Sequence, residues 1–338
     1  MRMNTHILSE SGDRRDVRAK QPSSLARIVS VIAAILYGAM LCRIPQEHFK
    51  DFSNYIVYAE YSWERLLGLL SDGLLTTLSN EPVWLLINAA LGSLLPSEEV
   101  VRLIIFFSAS TVAWVVLRNH PRQFFWLLIF LLLPMVIKNH LIHLRQGLAI
   151  SVFLLGWFAS SKWQRRILLS LTPFIHASFF FVLPILVASK AMIKLRLGPD
   201  IRIIVFAMAG IGVGIGLGWL AALLGARQAY EYQFAMTDVS GLGFVLWLGV
   251  FILFRMEGRQ FLRIHAFETG MIVFYLGTYW LIEVTARIFE SSVLLVLIAG
   301  LSLTGWRLVA YKIIVCCVLF GLSWIMRTGA PAMGFGVG

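Results

Sequence analysis

The chain has 338 residues, 59% of them hydrophobic and 14% charged, and a formal net charge of +11; its mean hydropathy is +0.79. A soluble domain needs a polar surface and is not this apolar, so that class is excluded. Apolar runs near twenty residues recur, which selects spanning helices over the shorter, alternating strands of a barrel, and the excess of Lys and Arg then belongs to cytoplasmic loops rather than to nucleic-acid binding.

The composition therefore predicts an all-α, polytopic integral membrane protein with a single transmembrane domain over residues 25–326. Residues 1–24 carry Arg2, Arg14, Arg15, Arg18 and Lys20 and lack the apolar core of a signal peptide. They read as a disordered, basic cytoplasmic tail, and 327–338 as a flexible C-terminal tail. Cys42, Cys316 and Cys317 lie within or at the end of apolar segments without metal spacing, as small apolar filler.

Residues 25–41 are the first expected crossing. Residues 44–80 break the hydropathy, interleaving Glu47, Asp51, Glu60, Glu64 and Asp72 with Tyr55, Tyr58, Tyr61 and Trp63. Such a stretch suits an interfacial helix or the wall of a carbohydrate cleft. Glu81-Pro82 opens a helix to about residue 95, with Pro at a permitted first-turn position. A span at 100–117 ends in the basic turn Arg118-Asn119-His120-Pro121-Arg122, which reads as internal. Residues 124–137 cross outward and 144–160 return to Lys162, Arg165 and Arg166. Counting crossings from the N-terminus instead leaves Arg118 outside, so one element between 44 and 100 is re-entrant, doubled or misread.

Lys162–Arg166 and the later Lys190, Lys194, Arg196 and Arg202 all look internal. A hairpin of two short limbs turning at His176, broken by Pro173 and Pro184, reconciles them. Residues 201–224 cross outward; glycines four apart, at 210/214/218 and 212/216, provide two smooth faces for helix packing. An outer loop, 226–241, contains Arg227, Tyr230, Tyr232 and Asp238. Residues 242–254 return inward, 267–286 deliver Glu283 and Arg287 outward, 293–303 return, and 308–326 form the last span. The total is about ten or eleven transmembrane helices with a re-entrant pair.

The central stretch is His140-Leu141-Ile142-His143-Leu144-Arg145-Gln146-Gly147-Leu148-Ala149. Arg145 stands at the head of an apolar helix, where its charge opposes the helix dipole and burial in lipid costs roughly 2.5–3.5 kcal/mol. Either an internal acid or an anionic ligand must offset it. The predicted topology brings Arg145, His176, Arg227, Tyr230, Tyr232, Glu283 and Arg287 to one face. Guanidinium forks bind phosphate in paired hydrogen bonds, and the anion natural to that depth is a lipid head-group diphosphate. Structural alternatives stand beside each assignment. Glu283 and Arg287 are spaced for a helix ion pair, Arg145 could snorkel to the head groups, His176 could be a satisfied buried imidazole, His140 and His143 read as interfacial, and Arg227 with the tyrosines could be an ordinary interfacial loop. No catalytic triad, P-loop, thiol nucleophile or metal-ligand set is evident, so a metal-independent reaction without cofactor is expected.

Leu144-Arg145-Gln146-Gly147-Leu148-Ala149 followed by Phe174-Ile175-His176-Ala177-Ser178 resembles the EpsG family of polysaccharide polymerases, relatives of the Wzy-type O-antigen polymerases. Ile175 between Phe174 and His176 departs from the family pattern. Asp51 with Tyr55, Glu81-Pro82, Tyr230-x-Tyr232 and the late Arg287 are also similar. The resemblance implies a GT-C-like polymerase/ligase architecture in the bacterial inner membrane. It implies polymerisation of undecaprenyl-diphosphate-linked oligosaccharide repeat units into O-antigen or exopolysaccharide at the periplasmic face. The alternatives are an O-antigen ligase and a lipid-linked oligosaccharide flippase. Arg145, Arg287 and Arg227 would hold the diphosphate; His176, or else Asp51 or Asp238, would act as base; Tyr55, Gln146, Tyr230 and Tyr232 would contact glycan or acceptor. Expected partners are the lipid-linked oligosaccharide, membrane lipid, a chain-length regulator and a flippase, with no nucleic acid.

Overall fold

The computed structural model describes residues 24–47, 49, 51–223, 241–281 and 285–327. Every regular element among them is a helix. The first, α1 (Ser24–Cys42), lies along α5 (Ser97–Asn119). Gly38 permits the close approach, because a Cβ there would sit 2.7 Å from the Phe106 carbonyl oxygen.

Between these two long helices come α2 (Phe52–Ser71), α3 (Leu74–Ser79) and α4 (Pro82–Gly92). A helix of eleven residues such as α4 extends roughly 16 Å, half of the roughly 30 Å hydrocarbon layer. It cannot cross alone, and α2 carries Glu60, Glu64 and Arg65 in its middle. Between residues 44 and 96, then, no described helix is long and apolar enough to cross, whereas α1 and α5 on either side are.

The expected crossing over 124–137 is instead two helices, α6 (Phe124–Leu131) and α7 (Pro134–Leu141), bent by 70°. Pro134 opens α7 and, lacking an N–H, cannot continue α6. The chain then turns into α8 (Leu144–Phe158). Next come α9 (Lys162–Leu171), a 3-10 turn at Thr172–Phe174 and α10 (Phe179–Lys194). Two limbs do meet at His176, but Pro184 lies inside α10 without ending it, and α9 buries no side chain. The first limb rests on the surface of α8.

The long α11 (Pro199–Leu223) packs on α14 (Ala266–Thr278). Of its two glycine faces one is used: a Cβ at Gly210 would lie 2.9 Å from the Phe274 carbonyl, and one on Gly277 3.0 Å from the Ala207 carbonyl, whereas Gly212 and Gly216 meet open space. The remaining elements are α12 (Leu242–Glu257), α13 (Arg259–Ile264), α15 (Thr285–Glu290), α16 (Val293–Gly300) and α17 (Gly305–Arg327). Every residue of α16 is buried, so this eight-residue helix is covered by protein rather than extended across a layer.

Three of the described helices, α1, α5 and α11, are long and apolar enough to cross a membrane, and four spans result if α6 and α7 count as one. Much of the apolar sequence expected to provide ten or eleven crossings is folded into short or broken helices. Such backbone is tolerated at membrane depth when neighbouring helices cover it. Outward-facing apolar side chains, among them Leu36, Phe107, Phe125, Val187, Ile215 and Phe320, are exposed in quantity, a surface suited to lipid.

Candidate functional site

The break between α7 and α8 is where the site begins. Tyr55, on the first turn of α2, reaches into it: its hydroxyl donates to the Ile142 carbonyl (2.8 Å) and accepts from the Leu144 amide (3.0 Å). Orphan backbone groups at a helix start need such partners, so the Tyr55 oxygen splints the two helices. Gly147, one turn into α8, allows α7 to fold back, since a Cβ there would overlap the Asn139 carbonyl and approach His140 Nδ1 to 3.0 Å. His140 is fully buried and bonded to Ser108 Oγ at 3.1 Å. That corrects its interfacial reading.

Arg145 points from the head of α8 to Glu81 and forms an ion pair through Nη1 and Oε2. Glu81 is the internal acid that the sequence left open. It precedes α4 in the left-handed region, φ 58° and ψ 52°, and is 4% exposed. A non-glycine residue in that region is uncommon and is held there by its surroundings. Its Oε1 accepts from His176 Nδ1 (2.9 Å) and from the Ala177 amide (3.1 Å). Burial alone would raise the Glu81 pKa; the Arg145 charge and the bonds from His176 and Ala177 outweigh it and hold the carboxyl well below the usual carboxylate range. One carboxylate thus ties α4, α8 and the turn before α10 together.

In front of this cluster opens a cleft of about 810 Å³, lined by Asp51, Asn54, Tyr55, Tyr58, Arg65, Asp72, Asn80, Arg145 and Arg287. The Arg65 and Arg145 guanidiniums lie 4.7 and 5.6 Å from the centroid of the Tyr58 ring, within cation–π range. Trp84 supports Tyr55 and Tyr58 edge-on, at 5.9 Å from each. Arg287 is carried by α15, and Gln146 anchors its backbone: Gln146 Nε2 donates to the Arg287 carbonyl (2.6 Å) and lies 3.1 Å from Ser291 Oγ. Ser291 Oγ meets Ser178 Oγ at 2.7 Å. A second buried ion pair, Lys138 with Glu290 at 2.6 Å, fixes α7 to the same end of α15.

The sequence reading brings Arg145 and Arg287 to one face on topology and names Asp51 and Tyr55 through the resemblance; the structure lines one cleft with all four. It differs on two residues. Gln146 is completely buried and engages backbone, so it does not face a glycan; His176 is 7% exposed and turned to Glu81, behind the wall. Nor is the cleft a plain cationic trap. Its charged lining is Arg65, Arg145 and Arg287 against Asp51 and Asp72, and Glu81 backs Arg145. Arg227, Tyr230, Tyr232, Asp238 and Glu283 lie outside the described residues. The sequence reading assigned no role to Glu81, Tyr58, Arg65 or Asn54. The Glu81-Pro82 pair was the one signal available for them, and a positive φ is not legible in a glutamate.

Among the described residues no group of three or more His, Cys, Asp or Glu side chains is arranged to hold a metal ion. Comparison with protein-family models, curated proteins and solved structures finds no match to this chain.

Proposed function

We propose that this protein is a membrane-embedded glycosyltransferase with GT-C-like architecture. In this reading it polymerises undecaprenyl-diphosphate-linked oligosaccharide repeat units at the periplasmic face of a bacterial inner membrane. The observation that carries the proposal is the convergence of Arg145 and Arg287, from α8 and α15, on a cleft that also presents Asp51, Asn54 and Tyr58. A lipid-linked oligosaccharide offers two chemistries, a diphosphate and a run of hydroxyls. The guanidiniums suit the first; carboxylate, amide and an aromatic face suit the second.

A glycosyl diphosphate is already a good leaving group. Its departure builds negative charge on the bridging oxygen, and fixed guanidiniums stabilise that charge. Glu81 holds Arg145 through Nη1, leaving the rest of a five-donor fork for the ligand. The acceptor hydroxyl loses its proton to a base. Asp51 lines the cleft whereas His176 is turned away on Glu81, so Asp51 takes that role here.

Gel profiles of surface polysaccharide in a strain lacking the gene test the proposal. Single-repeat chains support polymerisation. Unattached long chains would make the protein a ligase, and loss of all surface glycan would make it a flippase. Arg287→Gln at normal protein level is expected to reproduce the deletion profile; unchanged chain length would overturn the role given to the cleft.

A further inference from the structure

From the cleft, α8 runs away to Phe158, whose ring meets His120, just past the end of α5, at 5.6 Å. With 23 residues, α5 extends roughly 34 Å, enough to bring that end to the head-group level of a roughly 30 Å layer. Tryptophan–cation pairs gather there. Arg118 lies 5.0 Å from the Trp114 ring centroid, Lys312 lies 4.9 Å from that of Trp126 on the first turn of α6, and Arg166 lies 5.6 Å from that of Trp163 on the first turn of α9. Trp, Lys and Arg concentrate at a membrane–water boundary, where the apolar body and the polar tip of each side chain are both satisfied.

Of these elements α9 is the one that the fold leaves uncovered. Leu168 and Leu169 rest on Gly156 of α8, 3.1 Å from where a Cβ would stand, and Thr172, just past α9, is fully buried. The opposite face carries Trp163, Ile167 and Leu171, spaced i, i+4 and i+8, and these are 71%, 57% and 37% exposed. Lys162 and Arg166 edge that stripe, while Arg165 donates back to the Ala159 carbonyl at 2.7 Å. No Asp or Glu occurs between residues 100 and 199, and Lys162 and Arg166 make no ion pair among the described residues. Basic charge near a helix start also opposes the helix dipole. Neither a local acid nor the helix itself explains these cations.

We propose that the outward face of α9 is a binding surface for an anionic lipid leaflet. Trp163, Ile167 and Leu171 sit among the acyl chains, and Lys162 and Arg166 reach the head-group phosphates. An apolar stripe edged by cations is how an amphipathic helix holds an anionic bilayer. Phe125, 68% exposed on the first turn of α6, presents apolar surface at the same level. The occupant is therefore continuous around this end of the bundle, as a lipid layer is.

The test uses the full-length protein in lipid nanodiscs. Phosphatidylcholine with brominated acyl chains quenches tryptophans that face the chains. The emission lost in Trp163→Phe isolates Trp163, and that contribution is expected to fall about twofold or more on bromination. The head-group test uses equimolar phosphatidylglycerol and phosphatidylcholine, with native mass spectrometry of the lipid retained after detergent extraction. Phosphatidylglycerol should be favoured about threefold or more. Lys162→Gln/Arg166→Gln should cut that ratio by about half or more, whereas Lys162→Arg/Arg166→Lys, with both charges kept, should hold it. An unquenched Trp163 would put protein or water rather than lipid on this face. A wild-type ratio near one, or an undiminished ratio in the neutral variant, would deny the cations their role. Any of these results overturns the proposal, whatever the cleft catalyses.

Discussion

Replacing Glu81 with Gln keeps the side chain's shape and one acceptor oxygen but removes its charge. Arg145, whose side chain is 18% exposed, then loses its acid. Removing one partner of a buried ion pair typically costs about 3–5 kcal/mol, because the other charge is left uncompensated. Arg145 borders the cleft, where water can reach it, so the lower part of that range applies, about 3 kcal/mol. For a protein of this size that is a fall in Tm of roughly 4 °C. Scanning fluorimetry on detergent-purified protein measures it. The decisive comparison is a double-mutant cycle with Arg145→Gln. The Glu81→Gln/Arg145→Gln protein has neither charge, so it should be more stable than the sum of the single changes allows, by about 2 kcal/mol or more. If the two effects add within about 0.5 kcal/mol, Arg145 is not held by Glu81, and the account of this cluster fails.

The same ion pair predicts a pH dependence. The folded-state pKa of Glu81 is depressed, so its contribution is complete above the unfolded carboxylate value near 4.3 and is lost as pH falls through the folded value. Wild-type Tm minus Glu81→Gln Tm should be flat from pH 8 to about 5 and shrink at lower pH; a difference that grows on acidification would refute the assignment. Gly147→Ala forces a methyl into the Asn139 carbonyl and should cost about 1–3 kcal/mol through overpacking, read as reduced Tm, whereas Gly212→Ala, facing open space, should leave it within about a degree or raise it slightly. Tyr55→Phe removes the hydroxyl between Ile142 and Leu144 and should cost about 1–3 kcal/mol for the buried groups left unpaired; an unchanged Tm would show that the splint is dispensable.

Much of the cleft wall was legible because its chemistry is costly in an apolar chain. Arg145 in a hydrophobic run demanded a partner, and the acid–aromatic mixture around Asp51 and Tyr55 marked a half-polar surface. Glu81 was not legible as that partner, since pairing positions 81 and 145 depends on how α4 is laid against α8. Gln146 shows the converse error. Adjacent to Arg145, it points about 100° around the helix and faces α15, so a motif contiguous in sequence divides between a cleft wall and a backbone anchor.

Hydropathy by itself determined that this is an all-α chain with helices fit for a membrane, because a surface this apolar has no stable arrangement in water. Of the prolines read as breaks, Pro173 falls at the turn before His176 while Pro184 stays inside α10; the bend at Pro134, within the expected crossing 124–137, was not read from the sequence. Hydropathy did not determine which apolar runs cross. A helix such as α16 and a spanning helix satisfy the same pattern, and the difference lies in whether protein or lipid surrounds them. Charge balance was likewise decided by tertiary structure alone: Arg145 is neutralised by Glu81, 64 positions earlier in the chain, and nothing local in its sequence neighbourhood identifies that partner.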